Sequence, residues 1–210
     1  MEFVSIEMVF YVLEAIIALG LIAVVFFLWK QSRKSRHQRH TRKVVESLGV
    51  KYLHNVVLPD GIDGLVFIDY LLLIPGGFVV LNTQHNEGHL FGGETIDQWS
   101  QVINNKTYKF NNPLYNNQSA CQAVLWNLQH IIETGNSSAA NTPWQVQGWV
   151  TFSNTGNFPK GIPAQVSMID ELKNNLAVMI NNDNSIDKNL QKSWDALHDL
   201  SITTQTENKH

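Results

Sequence analysis

Apolar residues fill positions 8–29 with few breaks, from Met8 through Val12, Ile16, Leu21 and Phe26 to Trp29. A helix of about 20 such residues crosses a hydrocarbon core of about 30 Å. The pattern therefore predicts one transmembrane helix over 8–29, with Tyr11 and Trp29 suited to the interfaces. Glu14 interrupts the run about one and a half helical turns from its outer boundary, by the helix geometry. After residue 43 the pattern shortens. Alternating and β-branched runs predict strands near Val56–Leu58, Leu65–Ile74, Phe78–Asn82, His89–Phe91 and Gln147–Phe152. Helical spacing predicts a helix over Tyr115–Ile132, with Cys121, Val124, Leu125, Leu128 and Ile132 on one face. A second is expected over Val166–Met179, with Ile169, Leu172 and Leu176, and a third over Asp187–Leu200, with Trp194, Leu197 and Leu200. The fold class expected is α/β: a mixed β-sheet flanked by helices, preceded by one transmembrane helix.

The expected organisation has five parts: a short extracytoplasmic N-terminus (1–7), the span (8–29), a basic juxtamembrane segment (30–43), one domain (44–202) and a polar, disordered tail (203–210). Glu133–Thr142, rich in Asn, Ser, Gly and Ala, is expected as an exposed loop.

Charge separates the two ends of the chain. Before the apolar run stand Glu2 and Glu7 and no Lys or Arg; after it stand Lys30, Arg33, Lys34, Arg36, Arg39, Arg42 and Lys43. The positive-inside rule puts the N-terminus outside and the C-terminal part in the cytoplasm, at the cell (inner) membrane. The seven basic residues are also expected to attract anionic lipid headgroups, at about 1 kcal/mol each near the surface. From Val44 onward there are eight lysines, no arginine and fifteen acidic residues, a formal charge of −7. Nucleic-acid affinity rests largely on Lys and Arg neutralising phosphates. The domain is poorly equipped for duplex DNA, although a local groove from Lys51, Lys106, Lys109 and Lys160 stays open. Nucleic acid is thus expected as a weak partner, and a protein partner is expected without its identity.

The chemistry concentrates between Asp69 and Gln84. Asp69 ends one apolar run, Pro75-Gly76-Gly77 makes a turn, and a second apolar run leads into Asn82-Thr83-Gln84. Two strands joined there bring Asp69 and Asn82 to the same end of a small sheet. The hairpin, with Val56-Val57-Leu58-Pro59 before it, resembles the nuclease-related domain family, a branch of the restriction-endonuclease-like fold. Gly88-His89-Leu90-Phe91-Gly92, Trp99, Asn112-Pro113-Leu114 and Val150-Thr151-Phe152-Ser153 follow in the family's order, so that the resemblance covers about Lys43 to Leu176.

The resemblance implies a Mg²⁺ or Mn²⁺ site in which Asp and Glu hold the metal and a lysine helps to activate water. Here only Asp69 is retained as catalytic residue and metal ligand. Asn82 stands for the Glu, Gln84 for the Lys, and Asn116 for a glutamine on the following helix. A neutral amide brings no charge to a hard cation, and Gln does not titrate near pH 7. The expectation is a catalytically impaired nuclease-related domain that works as a binding or scaffold module without a cofactor. The alternative is an active Mg- or Mn-dependent nuclease with relocated groups, for which Glu87, Glu94, His85 and His89 are the candidates. Cys121, alone in the chain, excludes an intrachain disulfide and is expected as a buried structural thiol.

Overall fold

The computed structural model describes residues 6–133, 144–180, 186 and 188–203. Of the expected loop Glu133–Thr142, Glu133 still belongs to a helix and residues 134–142 lie outside the described residues; of the expected tail 203–210, Thr203 pairs with Val56 in a strand and residues 204–210 lie outside the described residues. The chain divides into two compact units, residues 1–43 and 44–210.

The first unit is occupied by helix α1 (Ile6–Glu46), which takes in the whole of 8–29 and continues through the basic segment. Among the described residues no helix is long and apolar enough to cross a membrane. Within 8–29 the described side chains are those of Tyr11, Ile16, Ile17, Leu19 and residues 21–27, all of them exposed.

The second unit is built on a six-stranded sheet in the order β10-β1-β2-β3-β7-β9. Its strands are β1 (Tyr52–Pro59), β2 (Leu65–Ile74), β3 (Gly77–Gln84), β7 (Gln145–Phe152), β9 (Val166–Met168) and β10 (Ile202–Thr203). β10, β1, β2 and β3 pair antiparallel, whereas β3, β7 and β9 pair parallel, so the sheet is mixed as expected. A smaller sheet runs β6-β5-β4-β8, from β4 (Gly88–Phe91), β5 (Gln98–Ile103), β6 (Lys106–Asn111) and β8 (Gly156–Asn157).

Helices α2 (Pro113–Glu133) and α4 (Lys188–Leu200) cover one face of the main sheet. Their Val124, Leu128, Trp194 and Leu197 pack with Leu71, Phe78 and Val80. The other face carries Leu72, Val79 and Leu81 under Val45, Leu48 and helix α3 (Leu172–Ile180), with Leu172 and Leu176 buried. A third cluster, around Trp99, joins the small sheet to the ends of β7 and β9 through Leu90, Phe152 and Val166.

Two expectations are corrected here. Val166–Met179 is not one helix: Val166–Met168 form β9, residues 169–171 a 3₁₀ turn, and α3 starts at Leu172. The apolar spacing imitates a helix, but hydrogen bonding of β9 to β7 takes the first residues. On α2 the buried face holds Asn117, Cys121, Val124, Leu128 and Ile131, with Leu125 at its margin; the expected Ile132 side chain lies outside the described ones. Cys121 is buried, and that burial pushes its thiol up to about 11.

The β2–β3 turn shows how sequence sets this architecture. Proline presets φ at Pro75, and Gly76 takes φ +87°, a region closed to most side chains. Gly77 answers a different constraint: a Cβ there would lie 2.0 Å from the backbone oxygen of Gln145, its partner in register on β7. Replacing Gly77 with Ala forces β3 and β7 apart at the start of their parallel ladder. The Gly77→Ala variant is expected to lose about 1–3 kcal/mol, in the range for overpacking, as a lowered urea midpoint; an unchanged midpoint would show that the strands can separate freely.

Candidate functional site

The site lies where two strands part. Pairing between β2 and β3 ends at Tyr70 opposite Leu81, while β3 stays paired to β7 as far as Gln84 opposite Phe152. Asp69 and Asn82 are the next residues past the split. The Asp69 carboxylate fills the gap: its Oδ2 accepts the Thr83 backbone N–H at 2.6 Å and the Thr83 hydroxyl at 3.0 Å. A side-chain oxygen thus takes up an N–H that a neighbouring strand would otherwise satisfy.

The neighbouring strand shows how Asp69 is aimed. Asn55 lies opposite Asp69 by register, between the pairs His54–Tyr70 and Val56–Ile68, and has φ +55°. Strand residues three apart normally face opposite sides of a sheet. Here Leu53 and Val56 both enter the core under α2, and so do Ile68 and Leu71. The left-handed residue switches the faces of β1 and β2 together at the level of Asp69. Asparagine tolerates this conformation better than most residues.

Asn82 and Gln84 form a pair of their own, Gln84 Nε2 donating to Asn82 Oδ1 at 2.6 Å. Asp69, Asn82, Thr83 and Gln84 are all partly exposed, so the site opens to solvent. Asn116 does not join them: it is exposed on α2, and its neighbour Asn117 faces the sheet, donating to the Val80 carbonyl at 3.2 Å. Helical phase accounts for this, since Asn117 lies one turn before Cys121 on the buried face.

Two of the relocated candidates are engaged elsewhere. The Glu94 carboxylate accepts the Ala164 N–H at 2.8 Å, which holds it below the ordinary carboxylate range. His89 Nδ1 lies 2.8 Å from Asn157 Oδ1 across β4 and β8. Glu87 and His85 are exposed on the β3–β4 connection. Among the described residues no group of three or more His, Cys, Asp or Glu could hold a metal ion. One carboxylate with an oxygen already bound twice, beside neutral amides, is a poor donor set for Mg²⁺ or Mn²⁺. The four lysines of the suggested groove are placed differently: Lys51 donates to Gln191 at 2.9 Å, Lys106 and Lys109 share β6, and Lys160 stands over Phe91.

Beside the site, Asn112 is a structural hub. It is 1% exposed. Its Nδ2 donates to the carbonyls of Gly93, Glu94 and Ile96, and its Oδ1 accepts the Leu114 N–H. It caps α2 with Pro113 in the first helical position, and holds the β4–β5 connection at the same time.

The family model for the nuclease-related domain matches residues 33–153, more than half of the chain. The chain belongs to the nuclease-related domain family. The match starts inside α1 and ends after β7, whereas the motif series suggested Lys43 to Leu176. An uncharacterized protein of Bacillus anthracis is similar at 26% identity over 98 residues, 47% of this chain and 46% of the relative. The chain thus covers less than half of the length of that relative. No solved structure matches.

In this nuclease-related domain, sequence reasoning singled out Asp69, Asn82 and Gln84 but missed Asn55 and the binding role of Thr83. Thr83 stood inside the quoted triplet, and only the strand split reveals its function. Asn55 leaves no motif.

Two stability predictions follow from this arrangement. Asp69→Ala strands the Thr83 N–H and is expected to lose about 1–3 kcal/mol by urea denaturation; full stability would mean that water replaces the carboxylate without loss. Asn55→Val is expected to lose about 1–3 kcal/mol through backbone strain, while Asn55→Gly stays near the wild-type midpoint.

Proposed function

We propose that this nuclease-related domain has lost phosphodiester cleavage and serves as a membrane-anchored binding or scaffold module, on a restriction-endonuclease-like fold. The observation that carries the first part is the bonding of Asp69. Its carboxylate terminates a strand ladder through Thr83, and the two positions beside it are amides bonded to each other. That arrangement has a complete structural explanation and little capacity for metal-assisted hydrolysis. The absence of arginine from the domain supports a partner other than duplex DNA.

The anchor rests on the sequence of 8–29, all of it helical, and on the exposure of every described apolar side chain in it. Large exposed apolar surfaces mark interaction with a membrane or a protein. The basic residues from Lys30 to Lys43 favour a cytoplasmic domain held close to anionic headgroups.

The purified chain is expected to leave single- and double-stranded DNA and RNA intact with Mg²⁺ or Mn²⁺. Metal-dependent cleavage that disappears in Asp69→Ala would overturn the loss of activity and favour the relocated residues. In carbonate extraction of cell membranes the chain is expected in the pellet, and deletion of 8–29 is expected to release it. A wild-type chain found in the supernatant would remove the anchor.

A further inference from the structure

The face of the main sheet that carries Leu72 and Val79 is covered only in part. Val45, Leu48, Leu172 and Leu176 pack with Tyr70, Leu72 and Ile74 of β2. Beyond the switch at Asn55 the same face continues through Phe67 and Leu65, which are 56% and 68% exposed. Register sets Val57 opposite Phe67 and Pro59 opposite Leu65, and partners in register share a face. Alternation agrees, since Val56, Leu58, Val66 and Ile68 face the core under α2. Val57, Pro59, Leu65 and Phe67 thus form one apolar block, and none of them packs into the three clusters of the core.

Carboxylates stand at both ends of the block. Asp69 lies two residues past Phe67, Asp60 follows Pro59, and Asp63 lies two residues before Leu65. Asp60 Oδ1 accepts the N–H groups of Ile62 and Gly64 at 2.9 Å and that of Asp63 at 3.3 Å, which keeps its carboxyl below the usual range. None of the three has an ion-pair partner among the described residues. Between Lys51 and Lys106 the chain holds no Lys or Arg.

We propose that this block is a docking surface for a protein segment whose apolar side chains are flanked by lysine or arginine. The assignment rests on the reading of the domain as a binding module, and it supplies the surface and the chemistry of the partner. Adjacent exposed apolar side chains mark interaction sites. Charge decides between the occupants. Two copies meeting through this face would set their carboxylates against each other, in domains that each carry a formal charge of −7. An anionic membrane surface is repelled by the same groups. A segment with basic flanks meets unpaired carboxylates at both ends of the block, and the field of the domain draws it in.

The test places the photocrosslinker p-benzoylphenylalanine at position 67 of the full chain in its own cells and identifies the adduct by peptide mass spectrometry. The expected adduct is a peptide of another protein, apolar at the crosslink, with Lys or Arg within about four residues on each side, one helical turn. Asp63→Lys is expected to lower its yield about fivefold, the upper end for one exposed charge. Leu65→Ser is expected to abolish it. Both side chains are exposed, so the melting temperatures of the purified variants are expected to stay at the wild-type value. An adduct with a second copy, with lipid or within the chain overturns the docking surface. So does a peptide without the flanking charges, no adduct, or a yield that Asp63→Lys leaves unchanged. A lowered melting temperature in Leu65→Ser assigns the block to the fold itself and overturns it as well. Metal-dependent nucleic-acid cleavage overturns the loss of activity proposed above, whatever the adduct; no adduct without cleavage leaves that loss standing.

Discussion

When a β-strand leaves its neighbour, it exposes backbone groups that must find other partners. In this domain β3 leaves β2 after Leu81 while it remains bound to β7. The group in need is the Thr83 N–H, and the Asp69 carboxylate supplies its acceptor. Much of the site follows from that bond. It closes the β2–β3 ladder, it draws one carboxylate oxygen away from solvent chemistry, and it requires that Asp69 be aimed across the split. The aim comes in turn from Asn55, whose left-handed backbone switches the faces of β1 and β2 at the same level.

The same constraint separates folding from catalysis at Asp69. An acidic residue in a partly exposed cleft invites a catalytic reading, yet this one has two donors at 2.6 and 3.0 Å and a defined task in the sheet. Its neighbours are uncharged and satisfy one another. A hydrolytic metal centre needs carboxylates whose oxygens converge on one point. Here Glu94, one of the acids that follow in sequence, is bound to the Ala164 N–H instead.

Much of the main sheet was legible from the pattern of apolar residues. Leu65–Ile74 was anticipated to the residue, and the strands around Val80 and Val150 to within a few positions, because buried strands are apolar runs bounded by turns. β5 and β6 were missed because polar residues break up their apolar positions and Trp99 is their one fully buried side chain; β6 is mostly exposed and β5 mostly half-buried. β9 was read as helix because Val166, Ile169, Leu172 and Leu176 keep a helical spacing, which long-range pairing to β7 overrides. At the site, sequence located Asp69 and the triplet. It gave no sign of Asn55, because a left-handed residue inside a strand reflects the strand opposite it and not its own neighbours.

Asn112 ties the first turn of α2 to the connection between β4 and β5 through four hydrogen bonds, and Trp99 packs at the centre of the adjoining cluster. These are among the residues by which the chain resembles its family, and they are joinery. A signature made of joinery records how the parts of the domain are held together. Membership of the family, read through such positions, therefore certifies the scaffold.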